Sequence, residues 1–407
     1  MAAFRLGFVL MVCILLFLVN NAFPQFTFKK IQELESFGFE KPLAFYSNPH
    51  YNRVEGLFLN FGLKYTPLHI EKFQIYGEAG WGFDNQPHKQ FRYIAGIRKD
   101  FFDIKRLTVG AEVFRRVESE DDWVISDVEN SLAALFIRED FKDYYGTEGV
   151  RFFIDHKLGG QHIIRFELSR ITYDALKKNT NFSIFRFNEA FEENPARNNA
   201  IIAEGDEISF KFMVALDWRD NPIFPLQGWY IEGIYEHTEE DFDTEGVFLT
   251  IKRYQQMFGN QRFVIRTMLG SRQGSLFEQH IMDLGGIGSL RGFDDKEFSG
   301  NRFFMLNFNY LFGGDILQKL PLKDAPLFKI FWPMLSMGIF LDTGWAWFTN
   351  PSDRLFEGFD QLQFDNLKTD IGLSILVLDG MFRLDIAKRT ERSTDDFRIT
   401  FRLFEKF

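Results

Sequence analysis

Read two residues at a time, most of the chain separates into one apolar and one polar row. In "FQIYGEAGWGF", Phe73, Ile75, Ala79, Trp81 and Phe83 share one face, and Gln74, Tyr76, Glu78 and Gly80 the other. In "ISFKFMVALDW", Ile208, Phe210, Phe212, Val214, Leu216 and Trp218 oppose Ser209, Lys211, Met213 and Asp217. Near the end, Phe397, Ile399, Phe401 and Leu403 alternate with Arg398, Thr400 and Arg402. Such alternation predicts strands with one oily and one wet face. It recurs over residues 54–65, 90–99, 106–116, 149–158, 161–173, 228–237, 245–255, 261–270, 303–312, 336–347, 368–377 and 380–388. Adding the weaker segment 182–191, "FSIFRFNEAF", gives sixteen strands. A competing count drops that segment and starts at "FGFEKPLAF"; Pro42 would remove a ladder donor there, so the first count is preferred.

A soluble sandwich also alternates, but it hides its apolar faces between two sheets. Here the polar faces carry Arg, Glu, Asp and Gly in long register, and aromatics gather near the strand ends. Strands of about ten residues, flanked by aromatic girdles, suit tilted membrane-spanning strands. The expected fold class is all-β: a 16-stranded antiparallel transmembrane β-barrel. Composition agrees, since 17% of the residues are aromatic and 52 are Phe. Beyond the amino terminus no segment approaches 18 consecutive apolar residues, which excludes helical spans. A net charge of −10 disfavours nucleic acid as a partner.

Arg5 precedes an uncharged, mostly apolar run, Leu6 to Val19, followed by "NNAFPQ". That run has the form of a secretory signal, with cleavage expected near Ala22. The expected organisation is a signal peptide at 1–22, a short periplasmic segment at 23–50 and a barrel at 51–407, placed in a bacterial outer membrane. The single cysteine, Cys13, lies inside the apolar run, so the mature chain would have no disulfide, thiolate metal site or cysteine nucleophile. The seven histidines, among them His50, His156, His162 and His280, lack metal-ligand spacing, and Ser289 lies outside any Gly-x-Ser-x-Gly elbow. No enzyme activity, metal or cofactor is expected.

The densest glycine cluster is "LGGIGSLRGF", Leu284 to Phe293. It lacks the Gly-Lys-Ser/Thr ending of a phosphate loop, and Arg291 stands where a dinucleotide motif needs its third glycine. Leu290-Arg291-Gly292-Phe293 instead resembles the Val/Ile-Arg-Gly-Phe loop motif of the BamA/TamA bacterial surface antigen superfamily. "FLDTG", with Phe340, Asp342 and Gly344, is similar to that superfamily's Phe-x-Asp-x-Gly strand motif. "DWRDNPIFPLQG", with Asp217, Arg219, Pro222, Pro225 and Gly228, resembles its periplasmic turn between the eighth and ninth strands. The resemblance covers the chain from about Arg53 to Phe407. It implies that the long connection 271–302 is extracellular, folds into the lumen and brings Arg291 to Asp342. Alternation puts Asp342 in the inward row with Gly338, Phe340 and Gly344.

Two departures qualify the match. Relatives that insert or export protein usually carry periplasmic POTRA domains, and fewer than about thirty residues separate the expected cleavage site from the first expected strand. Asn307 and Asn309 stand where relatives often have an inward Glu, which reduces the expected inner charge cluster to a pair.

"SDVENSLAALFIREDFKDYYG" opens with the capping box Ser126-x-x-Glu129 and predicts a helix that stops before Gly146. Val128, Leu132, Leu135 and Phe136 form its apolar stripe, and the preferred strand count puts it at the periplasmic end. Such a helix could lie on the membrane, dock a partner or cap the barrel. The resemblance implies a barrel assisting insertion or translocation of protein or lipid at the outer membrane. Its partners would be outer-membrane lipid, outer-membrane client proteins and a separate periplasmic protein. The alternative is a pore or transporter for small solutes.

Overall fold

Alternating segments become paired strands. The computed structural model describes residues 43–403 apart from 68–71, 103–105, 160, 187–188, 197–201, 223–224, 260, 313–334, 378–381 and 392–396. The expected signal peptide, and most of the 23–50 segment, lie outside the described residues. The strands are β1 Leu43–Tyr46, β2 His50–Asn52, β3 Gly56–Tyr65, β4 Phe73–Gly82, β5 Phe91–Phe101, β6 Leu107–Glu118 and β7 Tyr145–Leu158. They continue with β8 His162–Ala175, β9 Gly205–Asp217, β10 Gly228–Glu240, β11 Thr244–Gln256, β12 Arg262–Gly274, β13 Met282–Leu284 and β14 Phe298–Gly300. The last are β15 Arg302–Phe312, β16 Leu335–Trp347, β17 Lys368–Val377, β18 Phe382–Arg389 and β19 Arg398–Leu403. Among the described residues one α-helix, α1 Asp127–Ile137, lies between β6 and β7.

From β3 onward each long strand pairs antiparallel with the next, through β12 to β15 and on to β19. The small hairpin β13–β14 is a separate sheet inside the long connection. β2 pairs with β3, and so does β1. Because β4 occupies the other side of β3, β1 and β2 are two pieces of one strand position; β2 also neighbours β19, and the described residues form sixteen strand positions.

The total of sixteen matches the sequence expectation, but the first strand position does not. Segment 182–191 is not a strand in its described residues. Its donors go to the helix instead: Ile184 N–H to Leu135 O at 2.7 Å and Ser183 Oγ–H to the same carbonyl at 3.0 Å. Alternation there reflects packing on α1, not a ladder. The strand that replaces it falls within "FGFEKPLAF", whose described part follows Pro42, so the missing proline donor does not interrupt the pairing. The barrel therefore starts before the expected residue 51. Five strand positions, rather than four, now precede α1. The helix and the connection 275–301 consequently share one end of the barrel, and the expected periplasmic placement of the helix is overturned.

The burial pattern is that of a protein turned inside out. Outward rows are apolar and exposed: Leu57, Leu59 and Phe61 on β3, Val150, Phe152 and Ile154 on β7, Ile339 and Leu341 on β16. Inward rows hold buried charge, including Arg266, Asp342, Asp370, Arg383 and Asp385. A water-soluble sheet would reverse these faces, whereas lipid outside and a polar interior require them. No helix among the described residues is long and apolar enough to cross a membrane.

Candidate functional site

Four strands build a polar wall on the inside of the barrel. Register places Arg266, Asn307, Asp342 and Asp370 side by side on β12, β15, β16 and β17. Cross-strand partners share a face about 5 Å apart, so these side chains form one continuous row. Asn309 and Phe340 pair on an adjacent inward row, and Ser374 pairs with Asp385 on the next.

The connection 275–301 folds against this wall. Leu284, Leu290 and Phe293 are buried with Phe303, Met305 and Ala346 of the barrel interior, which anchors the loop by apolar contact. Beside that anchor Arg291 reaches the wall. Its Nε donates to Asp342 Oδ2 at 2.6 Å and its Nη2 to Asp342 Oδ1 at 2.8 Å, a forked contact. Nη2 also donates to Asn309 Oδ1 at 3.0 Å, and Nη1 lies 3.5 Å from Asp385. The guanidinium stacks on Phe340, 3.4 Å from the ring centroid. Burial disfavours its charge, but Asp342 and Asp385 outweigh that, so Arg291 holds its proton more tightly than an ordinary arginine. Gly292 N–H donates to Asp370 Oδ2 at 2.9 Å. A β-carbon on Gly292 would stand 2.6 Å from that of Asp370, so only glycine permits the approach.

The inner cluster is larger than the expected pair. Asn307 Nδ2 donates to Asp342 Oδ1 at 2.8 Å and to Ser289 O at 2.7 Å, while its Oδ1 accepts from Arg266 Nε at 2.9 Å. Arg383 Nη2 donates to Asn309 Oδ1 at 2.9 Å. The two asparagines are thus relay points: Asn307 joins the loop to a wall arginine by donating and accepting, and Asn309 does so by accepting from Arg291 and Arg383 on one oxygen. Sequence alternation shows Arg266, Asp370, Arg383 and Asp385 facing inward. Which of them meet the loop depends on strand stagger, and that is absent from the alternation.

A second inward element was missed as such. The insert between β6 and β7 meets the tip of the loop. Lys296 is held by Asp121 at 2.7 Å and by Asp143. Burial opposes its charge and the two carboxylates overcome this, raising its pKa. Arg266 lies over the Trp123 ring at 5.8 Å. A β-carbon on Gly288, whose φ is +77°, would come 2.7 Å from Val124 O. Between loop tip, insert and wall remains a cavity of about 30 Å³, lined in part by Trp123, Ser289, Arg383 and Arg402. That is room for about one water.

Helix α1 begins where the capping box places it, with Glu129 N–H donating to Ser126 Oγ at 3.2 Å. It ends at Ile137 because Arg138 turns left-handed, φ 58°. Its buried face is Glu129, Asn130 and Ala134, not the expected apolar stripe. Val128 is exposed, while Leu132, Leu135 and Phe136 are half-buried, the last 6.4 Å from the Phe185 ring. The reason is the surroundings: a helix docked on a polar lumen buries groups that hydrogen-bond. Sequence reading of the stripe assumed an oily neighbour.

The turn at 218–227 lies at the opposite end and closes on itself. Arg219 makes a forked contact with Asp217, 2.9 and 2.7 Å, and stacks 4.9 Å from Tyr230. Asp220 Oδ1 accepts from the N–H groups of Leu226 and Gln227. Pro222 is exposed, Pro225 is buried and its carbonyl accepts from Arg262 at 3.2 Å, and Gly228 opens β10. Apart from the Arg262 contact, which comes from β12, these contacts are internal to the β9–β10 hairpin.

The described barrel fold superposes on that of a solved structure. The crystal structure of BamA from Haemophilus ducreyi lacking POTRA domains 1-3 superposes with a TM-score of 0.55 at 12% identity, covering 88% of this chain and 69% of that one. The chain has a BamA-like barrel fold. CdiB from Acinetobacter baumannii aligns at TM-score 0.42 and 10% identity, over 88% of this chain and 58% of that chain. CdiB from Escherichia coli gives 0.42 and 12%, over 89% and 62%. In sequence, residues 21–221 of this chain match the family described as "Family of unknown function (DUF5686) C-terminal domain". No curated protein matches it.

Proposed function

We propose that this outer-membrane β-barrel belongs to the BamA/TamA group and assists insertion or translocation of protein or lipid at a bacterial outer membrane. The observation that carries the reading is the doubly occupied lumen. The loop 275–301 and the insert 119–144 meet inside it and are tied to its wall and to each other by buried ion pairs. A barrel built for wide, steady diffusion of solutes is obstructed by a loop and an insert tied together across its interior. A barrel that works through its wall or rim needs a closed lumen to keep the membrane sealed. Outer-membrane lipid, nascent outer-membrane proteins and a separate periplasmic protein are the partners this work requires.

Crosslinked co-purification from outer membranes tests the reading. Recovery of unfolded or partly folded outer-membrane proteins supports assembly. Recovery of none, together with solute uptake that depends on the protein, would replace it with the pore reading.

A further inference from the structure

Helix α1 touches both strands that flank the barrel's seam. The backbone N–H of Leu403, in the last strand, donates to Glu129 Oε1 at 2.6 Å. Arg402 Nε donates to the same oxygen at 2.8 Å, and its Nη2 donates to Glu129 Oε2 at 3.2 Å and Val124 O at 2.9 Å. Two residues further along the helix, Ser131 Oγ accepts the backbone N–H of Tyr51 in β2 at 3.0 Å. Tyr51 stands opposite Leu57 of β3, whose carbonyl is taken by Phe83 on the far side at 3.0 Å. That phase turns the Tyr51 N–H away from β3, toward the seam.

A strand edge is a row of donors and acceptors that must be satisfied or covered. Here side chains of one helix supply acceptors to an edge donor of the last strand and to one of the first. Glu129 is only 4% exposed, so its bond to Leu403 is shielded from competing water. The helix is itself strapped down. Asn130 donates to Asp140 and to Tyr144 Oη, both at 2.8 Å, and fully buried Arg53 donates to Asp140 O at 2.8 Å and Asp143 at 2.7 Å.

We propose that α1 is a clasp on the seam: β2 and β19 are neighbours in the sheet, and Glu129 on β19 and Ser131 on β2 hold this short closing pair together from one helix.

The test is hydrogen exchange on the full-length protein in lipid nanodiscs, comparing wild type, Glu129→Ala/Ser131→Ala and the exposed-site control Val128→Ala. In the double variant, peptides covering 398–403 should exchange about tenfold faster or more, the factor expected from losing a hydrogen bond to a charged acceptor, and those covering 50–52 about threefold faster or more, as for a neutral one. The β10–β11 hairpin and the control should not change. Unchanged exchange at both edges in a folded double variant overturns the clasp. Should that variant not fold, Ser131→Ala alone must speed exchange at Tyr51, and failure to do so overturns the proposal equally.

Discussion

At the scale of single residues, the lock is one buried guanidinium shared among several acceptors. Removing one member of a buried ion pair strands the other, at a cost of about 3–5 kcal/mol. Arg291→Ala and Asp342→Ala should each expose the loop to protease, and the double variant should lose much less than their sum, because the two act as a unit. Strictly additive effects on loop protection would mean that the forked contact does not hold the loop. Arg291→Lys should restore protection only in part, since an ammonium cannot reproduce the fork or the stack on Phe340. His280, at the base of the same loop, gives a pH dependence. Burial, then Arg272, pushes its pKa down to about 3, against the pull of Glu236. A folded-state pKa below the unfolded one stabilises the docked loop above about pH 6.5. That contribution is lost progressively as pH falls toward 3. Loop protection should therefore weaken across this window, and His280→Gln should flatten this part of the profile.

At the scale of elements, the insert is held by its polar face. Asn130 is 2% exposed and its side chain satisfies Asp140, Tyr144 and the N–H of Phe141. Asn130→Ala leaves that N–H unpaired and takes one donor from Asp140 and one from Tyr144, a cost of about 1–3 kcal/mol. It should lower the denaturant midpoint at which the insert becomes protease-sensitive. Val128→Ser, on the exposed face, should move that midpoint by less than about 0.5 kcal/mol equivalent. If Val128→Ser is the more damaging change, the apolar stripe carries the docking after all. The long β8–β9 connection takes part, since Asn194 accepts from Tyr144 N–H and donates to the carbonyls of Tyr144 and Leu176.

At the scale of the whole molecule, two inward elements predict a closed resting lumen. Planar-bilayer recordings of the intact protein should show small, irregular openings rather than a large steady conductance. Deleting residues 284–298 should enlarge them, and Lys296→Ala, which releases the loop from Asp121 and Asp143, should do so to a lesser degree. Large steady conductance from the intact protein would contradict the occluded lumen.

Alternation by itself determined the class, because in lipid only a closed sheet satisfies every backbone group and period two then assigns each residue to one face. It also determined that Arg291 is a loop residue and Asp342 an inward one. It did not determine the first strand position: segments 43–46 and 182–191 both alternate, and pairing with β3 rather than local pattern chose between them. That choice moved α1 to the loop's end of the barrel. The roles of Asn307, Asn309, Lys296 and Glu129 were likewise decided only in three dimensions. Each acts on a partner from a distant part of the chain, and strand stagger, which no single strand encodes, sets which partners meet.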